Sequence, residues 1–371
     1  MRFLIISHAE HKVSHSTVYS YAPYVREMNL WLKYVDSVAI IAPKIKESIN
    51  PIDIPYEHKS LKFQKIPAIQ FTSLLSSLSS ILKIPYILFI LFKECFNADH
   101  IHLRCPGNIG LLGCFVQILF PKKIKTVKYA GNWDPKAKQP LSYKLQKWIL
   151  SNTFLSKNMQ VLVYGQWENQ SKNIRSFFTA TYAESEIEQF EKRDYSGILN
   201  FVFVGSLVQG KRPLFGIQIM EALHKKGIDV RLDIFGEGIL KGELLDYIQT
   251  NQLYSLVKIH GNQSKEVIKS ALKKAHFSIL PSKSEGWPKA VAEAMFFGVI
   301  PIATKVSCVP KMLDDGNRGI LIKADLNHDL RIIMNVFEDI SELETMSKNA
   351  MMWSQLYTLD RFESDIVKIL K

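Results

Sequence analysis

The stretch FSILPSKSEGWPKAVAEAMFFGVIPIAT, residues 277–304, decides how the second half of this chain folds. Phe277 to Leu280 is a short apolar run ended by Pro281, as a buried strand would be. Ser282 to Trp287 reads as loop. Pro288 suits a first helical position, where its missing N–H costs nothing. Ala290 to Phe297 is rich in helix formers, Gly298 stops them, and a second strand follows to Thr304. Glu285 then sits in the loop at a strand's carboxyl end, and Glu293 lies more than a turn into the helix. Between them, the amides at the helix start point outward, ready for an anion. One carboxylate for sugar hydroxyls, amides for a diphosphate and a second carboxylate for ribose hydroxyls would suit a nucleotide sugar. Taken alone, the pair also fits a helix cap followed by a solvated glutamate.

Outward from this stretch, strand and helix signals alternate along the chain. Apolar strands read at Arg2–Ser7, Ser37–Ala42, Lys62–Ile66, His100–Leu103, Thr126–Tyr129, Val161–Tyr164 and Thr179–Tyr182. Helix-length segments lie between most of them, including Val25–Lys33, Leu74–Phe96 broken at Pro85, Ile109–Phe120 and Leu141–Thr153. Residues 184–198 are polar without an apolar face and read as a connection. The pattern then restarts, with strands at Asn200–Gly205, Asp229–Gly236 and Val257–His260. Two such series of about 170 residues predict an α/β protein of two Rossmann-like domains facing a cleft. The first would span 1–183 and the second 199–354. A final helix, about 355–371, would cross back to the first.

Of the 371 residues, 47% are hydrophobic and 22% charged, ordinary for a globular protein. Cys95, Cys105, Cys114 and Cys308 show no zinc spacing and read as core thiols of a reducing, cytoplasmic compartment. MRFLIISHAE reads as a strand rather than a signal peptide. No run reaches the roughly 18 apolar residues of a membrane span. The formal charge is +12, and residues 121–150 hold lysines 122, 123, 125, 128, 136, 138, 144 and 147 against Asp134 alone. A lysine-rich face beside apolar helices makes an anionic membrane surface a candidate partner, with plain solubility the alternative. No zinc finger, RNA-recognition signature or basic-aromatic repeat supports nucleic acid.

A second cluster, FVFVGSLVQGKRPLFGI at 201–217, ends a strand at Gly205 and places Lys211 and Arg212 before a helix. Two cations beside a helix N-terminus can hold a diphosphate. Phe235-Gly236-Glu237-Gly238 ends the next strand, where glycines permit close backbone approach. His260-Gly261 ends the one after.

Together these motifs closely resemble the retaining family 4 (group 1) glycosyltransferases of the GT-B fold. The matching residues are Glu285, Gly286, Trp287, Glu293, Ala294, Met295, Gly298, Pro301, Ala303 and Thr304. The resemblance implies a donor site formed by Gly205, Ser206, Gly236, Gly238, Gly286, Trp287, Lys289 and Glu293. Catalytic roles would fall to Glu285, Lys211 and Arg212. Ser206 stands where the family usually has Arg, and Pro288 where many members have Gly. The family's His after the fifth strand is missing; Asn132, Trp133 and Asp134 stand there instead. His102, Arg104, Trp133 and Asp134 are the candidate acceptor contacts. The crowded His8, Glu10, His11 and His15 are not read as a metal site, since the family needs neither metal nor cofactor.

The resemblance implies transfer of a sugar from a nucleoside-diphosphate sugar to a glycan or lipid-linked acceptor, with retention, in surface polysaccharide synthesis. Competing readings are a nucleotide-sugar epimerase or phosphorylase on the same frame, and a non-catalytic partner subunit. A dehydrogenase is disfavoured, because no G-x-G-x-x-G follows a strand.

Overall fold

The apolar runs become strands because each is short, β-branched or aromatic, and covered on both faces by helices. The computed structural model describes residues 1–50 and 52–370. Met1–Phe178, with the residues from Glu363 onward, form one unit; Thr179–Phe362 form the other. Residues 184–198, read above as a connection, thus group with the second unit.

The first unit contains β1 (Arg2–Ile6), β2 (Lys12–Ser14), β3 (Thr17–Tyr21), α1 (Ala22–Leu32), β4 (Ser37–Pro43), β5 (Asp53–Pro55) and β6 (Leu61–Ile66). These are followed by α2 (Leu74–Asn97), β7 (His100–Cys105), α3 (Asn108–Val116), β8 (Ile124–Tyr129), α4 (Leu141–Ser151), β9 (Met159–Tyr164) and β10 (Ile174–Phe177). Its main sheet is parallel, in the order β10-β9-β8-β7-β1-β4-β6. Alternation along β1 divides the core. Leu4 and Ile6 pack with Ile87 and Leu91 of α2, Leu112 of α3 and Ile149 of α4. Phe3, on the opposite face, stacks on Trp31 and His102.

Three expectations need correction here. Thr179–Tyr182 is not a strand; β10 lies earlier, and Tyr182 instead accepts a bond from the Leu359 amide at 2.9 Å. Helix α2 is not broken at Pro85 but runs unbroken for 24 residues. Proline there removes only its own bond to the carbonyl four residues back. As a continuous helix, α2 is long and apolar enough to cross a membrane, contrary to the run-length reading. A small antiparallel sheet, β2-β3-β5, was also not foreseen. Its hairpin turns at His15 and Ser16, both in the left-handed region, without the Asn-Gly or Asp-Gly that would have announced it. Lys12 and Asp53, both buried, tie β2 to β5 at 2.8 Å.

The second unit contains β11 (Leu199–Val204), α5 (Pro213–Lys225), β12 (Val230–Phe235), α6 (Lys241–Thr250), β13 (Val257–Gly261), α7 (Lys265–Lys274) and β14 (Phe277–Leu280). It continues with α8 (Lys289–Phe296), β15 (Ile300–Thr304), α9 (Val309–Met312), β16 (Ile320–Ile322), α10 (Leu326–Phe337) and α11 (Ile340–Ser354). The sheet is parallel, in the order β13-β12-β11-β14-β15-β16. Pro288 caps α8 rather than opening it, and Gly298, at φ +71°, closes it. The amides of Gly298 and Val299 satisfy the Met295 and Ala294 carbonyls. A last helix, α12 (Leu359–Leu370), starts in this unit. From Glu363 on it belongs to the first, where Glu363 accepts from Lys33 at 2.9 Å and Tyr34 at 2.7 Å.

The first unit buries three imidazoles. Burial depresses His11 and His100 to about 4 and holds His102 well below the ordinary value. His100 Nε2 and His102 Nδ1 both lie 2.8 Å from the Thr126 hydroxyl. In the window from about 6.5 down to about 4, the unfolded rings take protons that the folded ones refuse, so stability rises with pH. Acidification from pH 6.5 to 5 is expected to cost about 2 kcal/mol for each of His11 and His100, with His102 adding in the same direction. Urea midpoints at the two pH values test this: His11→Asn should lose less than wild type, and equal losses would refute it.

Candidate active site

The loops after β11 and β14 lie side by side because these strands are neighbours. Lys283 donates its amide to the Gly210 carbonyl at 2.8 Å, joining the two loops. Across this junction Lys211 Nζ meets Glu285 Oε1 at 2.5 Å. Glu285 is only 7% exposed, and a carboxylate so buried needs a cation or several donors. Lys211 retains a partly open side chain. Arg212 adopts left-handed backbone angles, φ 50° and ψ 49°, as the cap of α5. Its guanidinium reaches the Pro281 carbonyl at 3.4 Å. All three expected catalytic residues therefore converge on one loop junction at the sheet's carboxyl edge, where such folds bind ligands.

The glycines have an immediate steric task. A Cβ at Gly236 would stand 1.9 Å from the Gly205 carbonyl oxygen, and one at Gly238 2.4 Å from that of Leu207. The Gly205 amide donates to Phe235, Gly236 to Gly261 and Leu207 to Glu237, all within 3.0 Å. These loops are zipped together by their own backbone. Gly261, at φ +70°, faces Glu237, which pairs with Lys241 at 2.7 Å. Ser206 is exposed on the same rim.

The loop after β14 is anchored from β15. The Thr304 hydroxyl donates to the Ser282 carbonyl at 2.5 Å, and the Cys308 thiol to Gly286 at 3.2 Å. Burial pushes the Cys308 thiol up to about 12, so it stays protonated and able to donate. Trp287 packs against Trp353 and Tyr357, with ring centroids 6.0 and 5.5 Å away. It supports the loop from behind.

Glu293 does not join the Lys211–Glu285 pair. Its carboxylate accepts from the Thr181 hydroxyl at 2.7 Å. The two line a narrow pocket with Lys289, Ala292, Ser354 and Tyr357. The sequence offered no sign of Thr181, because its run reads as a strand.

In the first unit, burial corrects two expected acceptor contacts. His102 is 1% exposed, bonded to Thr126, stacked on Phe3 and tilted against Trp31. Trp133 is buried edge-on against Tyr129, with Lys147 above it. Arg104 holds its guanidinium 4.1 Å over the Tyr24 ring. Asp134 accepts from the Lys136 amide at 2.8 Å, as a turn residue does. His11 bonds to Tyr56 at 2.8 Å, a buried pair that sequence reading missed. Among the described residues, no cluster of His, Cys, Asp or Glu is arranged to hold a metal.

Comparison with known proteins adds to this geometry. The family described as Glycosyl transferases group 1 matches residues 184–353. An uncharacterized glycosyltransferase of Methanocaldococcus jannaschii is 27% identical over 176 residues, 47% of this chain and 48% of that protein. The GDP-mannose:cellobiosyl-diphosphopolyprenol alpha-mannosyltransferase of Xanthomonas oryzae is 22% identical over 192 residues, 48% of this chain and 50% of that one. The chain thus matches about half the length of these curated relatives. The structure of Anabaena HepE in complex with UDP and glucose aligns with TM-score 0.69 at 13% identity, covering 100% of this chain and 99% of that one. That likeness shows the fold: GT-B, with a parallel sheet in each of two α/β units. Residues 184–353, a little under half of this chain, are thus similar to the glycosyl transferases of group 1.

Proposed function

We propose that the protein transfers a sugar from a nucleoside-diphosphate sugar to a glycan or lipid-linked acceptor, with retention of anomeric configuration. The observation that carries this reading is the Lys211–Glu285 pair at the junction of the β11 and β14 loops. The hard step is departure of a diphosphate from an anomeric carbon. Lys211 and Arg212, with the amides that open α8, would meet the charge that develops on that leaving group. Glu285, released from Lys211 as the diphosphate arrives, would bind sugar hydroxyls. Glu293 would turn from Thr181 to the ribose. The C1–O bond to phosphate breaks, the acceptor oxygen bonds to C1 on the same face, and the leaving phosphate takes the acceptor's proton. No side-chain base and no metal enter this scheme.

Two relatives bear on the donor and acceptor classes. HepE was crystallised with UDP and glucose, and the Xanthomonas relative is named for GDP-mannose and a diphosphopolyprenol acceptor. The acceptor proposed here belongs to surface polysaccharide synthesis on the cytoplasmic side of the membrane. The buried free thiols, Cys95, Cys105, Cys114 and Cys308, suit that reducing compartment.

Lys211→Ala is expected to lower turnover by roughly 100-fold or more at saturating donor, the usual effect of losing a charge-stabilising donor. Unchanged turnover in the folded variant would rule out that role. A thermal-shift panel of UDP, GDP and their sugars should raise the melting temperature with one nucleotide class. A flat response across the panel would favour the non-catalytic partner reading. Glu293→Gln should raise KM for the donor with kcat little changed, because ribose is bound alike in ground and transition states.

A further inference from the structure

Helix α2 is apolar on both faces, although only one of them is covered. Ser80, Ile87, Leu91, Glu94 and Cys95 face inward onto the core of the first unit. On the other side Leu75, Leu78, Leu82, Tyr86, Phe89 and Phe96 are exposed, with Leu75 and Leu82 at 81% and Phe96 at 66%. An exposed apolar face of this length marks a contact surface. Helices α2, α3 and α4 share one core on the same face of the sheet. Beyond α2, Leu119, Trp148 and Phe154 are likewise exposed, at 64%, 60% and 88%.

Charge identifies the occupant. Residues 61–167 contain fourteen lysines and arginines, of which Lys125 and Lys128 are buried, against three acids: Glu94, Asp99 and Asp134. Of the three, Glu94 is buried and bonded to Arg2 and Lys62. Lys93, Lys122 and Lys144 are exposed on α2, after α3 and on α4. A broad apolar face set among cations with almost no carboxylate fits a bilayer with anionic headgroups. A second protein would be expected to bring carboxylates of its own, and an apolar partner alone would leave the cations unused.

We infer that the α2 face, with Leu119, Trp148 and Phe154, embeds in the acyl–headgroup boundary of an anionic lipid bilayer, and that α2 lies in the membrane plane. Length alone would allow α2 to span, but its inner face packs on β1 and α3, and β6 and β7 on either side of it belong to one sheet. A helix held along one face cannot also cross a bilayer. This inference deepens the proposed acceptor reading by placing the first unit where a lipid-linked acceptor lies, and it does not depend on the donor chemistry.

The test is flotation of the full chain with vesicles of phosphatidylcholine alone and with 30% phosphatidylglycerol, beside the variant Leu75→Ser/Leu82→Ser/Phe89→Ser/Phe96→Ser. Wild type should float with anionic vesicles and at least 10-fold less with neutral ones. Raising salt to 0.5 M should weaken but not abolish binding, because the apolar insertion is unscreened. The variant should lose flotation at least 10-fold while keeping the wild-type response to UDP or GDP. That retained response separates this inference from the donor assignment and shows that the variant is folded. Flotation of the variant equal to wild type would overturn the proposal. So would wild-type protein that ignores anionic vesicles and forms a dimer which the variant abolishes.

Discussion

A carboxylate at 7% exposure needs a counter-charge or several donors, and Glu285 has the first: Lys211 at 2.5 Å. That requirement organises the edge of the second unit. Lys211 comes from the loop after β11, so this loop must lie against the one after β14. The adjacency of the two strands and the Lys283–Gly210 backbone bond bring that about. Neighbouring loops on that edge support the same two. The glycines at 236 and 238 let backbones touch where any side chain would collide, and Thr304 and Cys308 hold the Glu285 loop from the far side. The pair neutralises Glu285 and leaves the Arg212 cation beside it. An arriving diphosphate would compete for Lys211 against a carboxylate already in place, and the carboxylate it displaces would be freed for a hydroxyl-bearing group.

Much of this was legible in the sequence, for physical reasons. Parallel strands buried on both faces appear as apolar runs such as Phe277–Leu280, and helix ends are marked by Pro288 and Gly298. The convergence of Glu285 with Lys211 could be expected because both sit at carboxyl ends of strands. What was hidden depends on side-chain direction or on unusual backbone. The hairpin through His15 and Ser16 uses left-handed angles at residues that do not advertise them. Thr179–Tyr182 is as apolar as a strand, but β10 had already taken the sheet edge. Thr181 became the partner of Glu293 as a result. His102 and Trp133 sit beside strand ends, as ligand contacts do, and only the packing shows that both point into the core.

Helix α2 shows the converse limit. Proline at 85 suggested a break, and dividing the run concealed its length. The structure restores the helix, because a missing amide on a solvent-facing turn is easily tolerated. The N-terminal signal was clearer: Ser73 and Ser76 form a capping box.

Glu94 gives the same helix a fixed rotational setting. Burial alone would push its carboxyl upward, but Lys62 and Arg2 outweigh that and hold it below the ordinary range. It therefore remains an anion pinned between two strands, with Arg2 on β1 and Lys62 on β6. A bare apolar cylinder would tend to roll until its greasier side met the core. Here a turn of one residue, about 100°, would carry a charged carboxylate away from both cations. Glu94 acts as a key in a shaft: the chain cannot relieve its exposed apolar face by rotation, and that face stays turned outward.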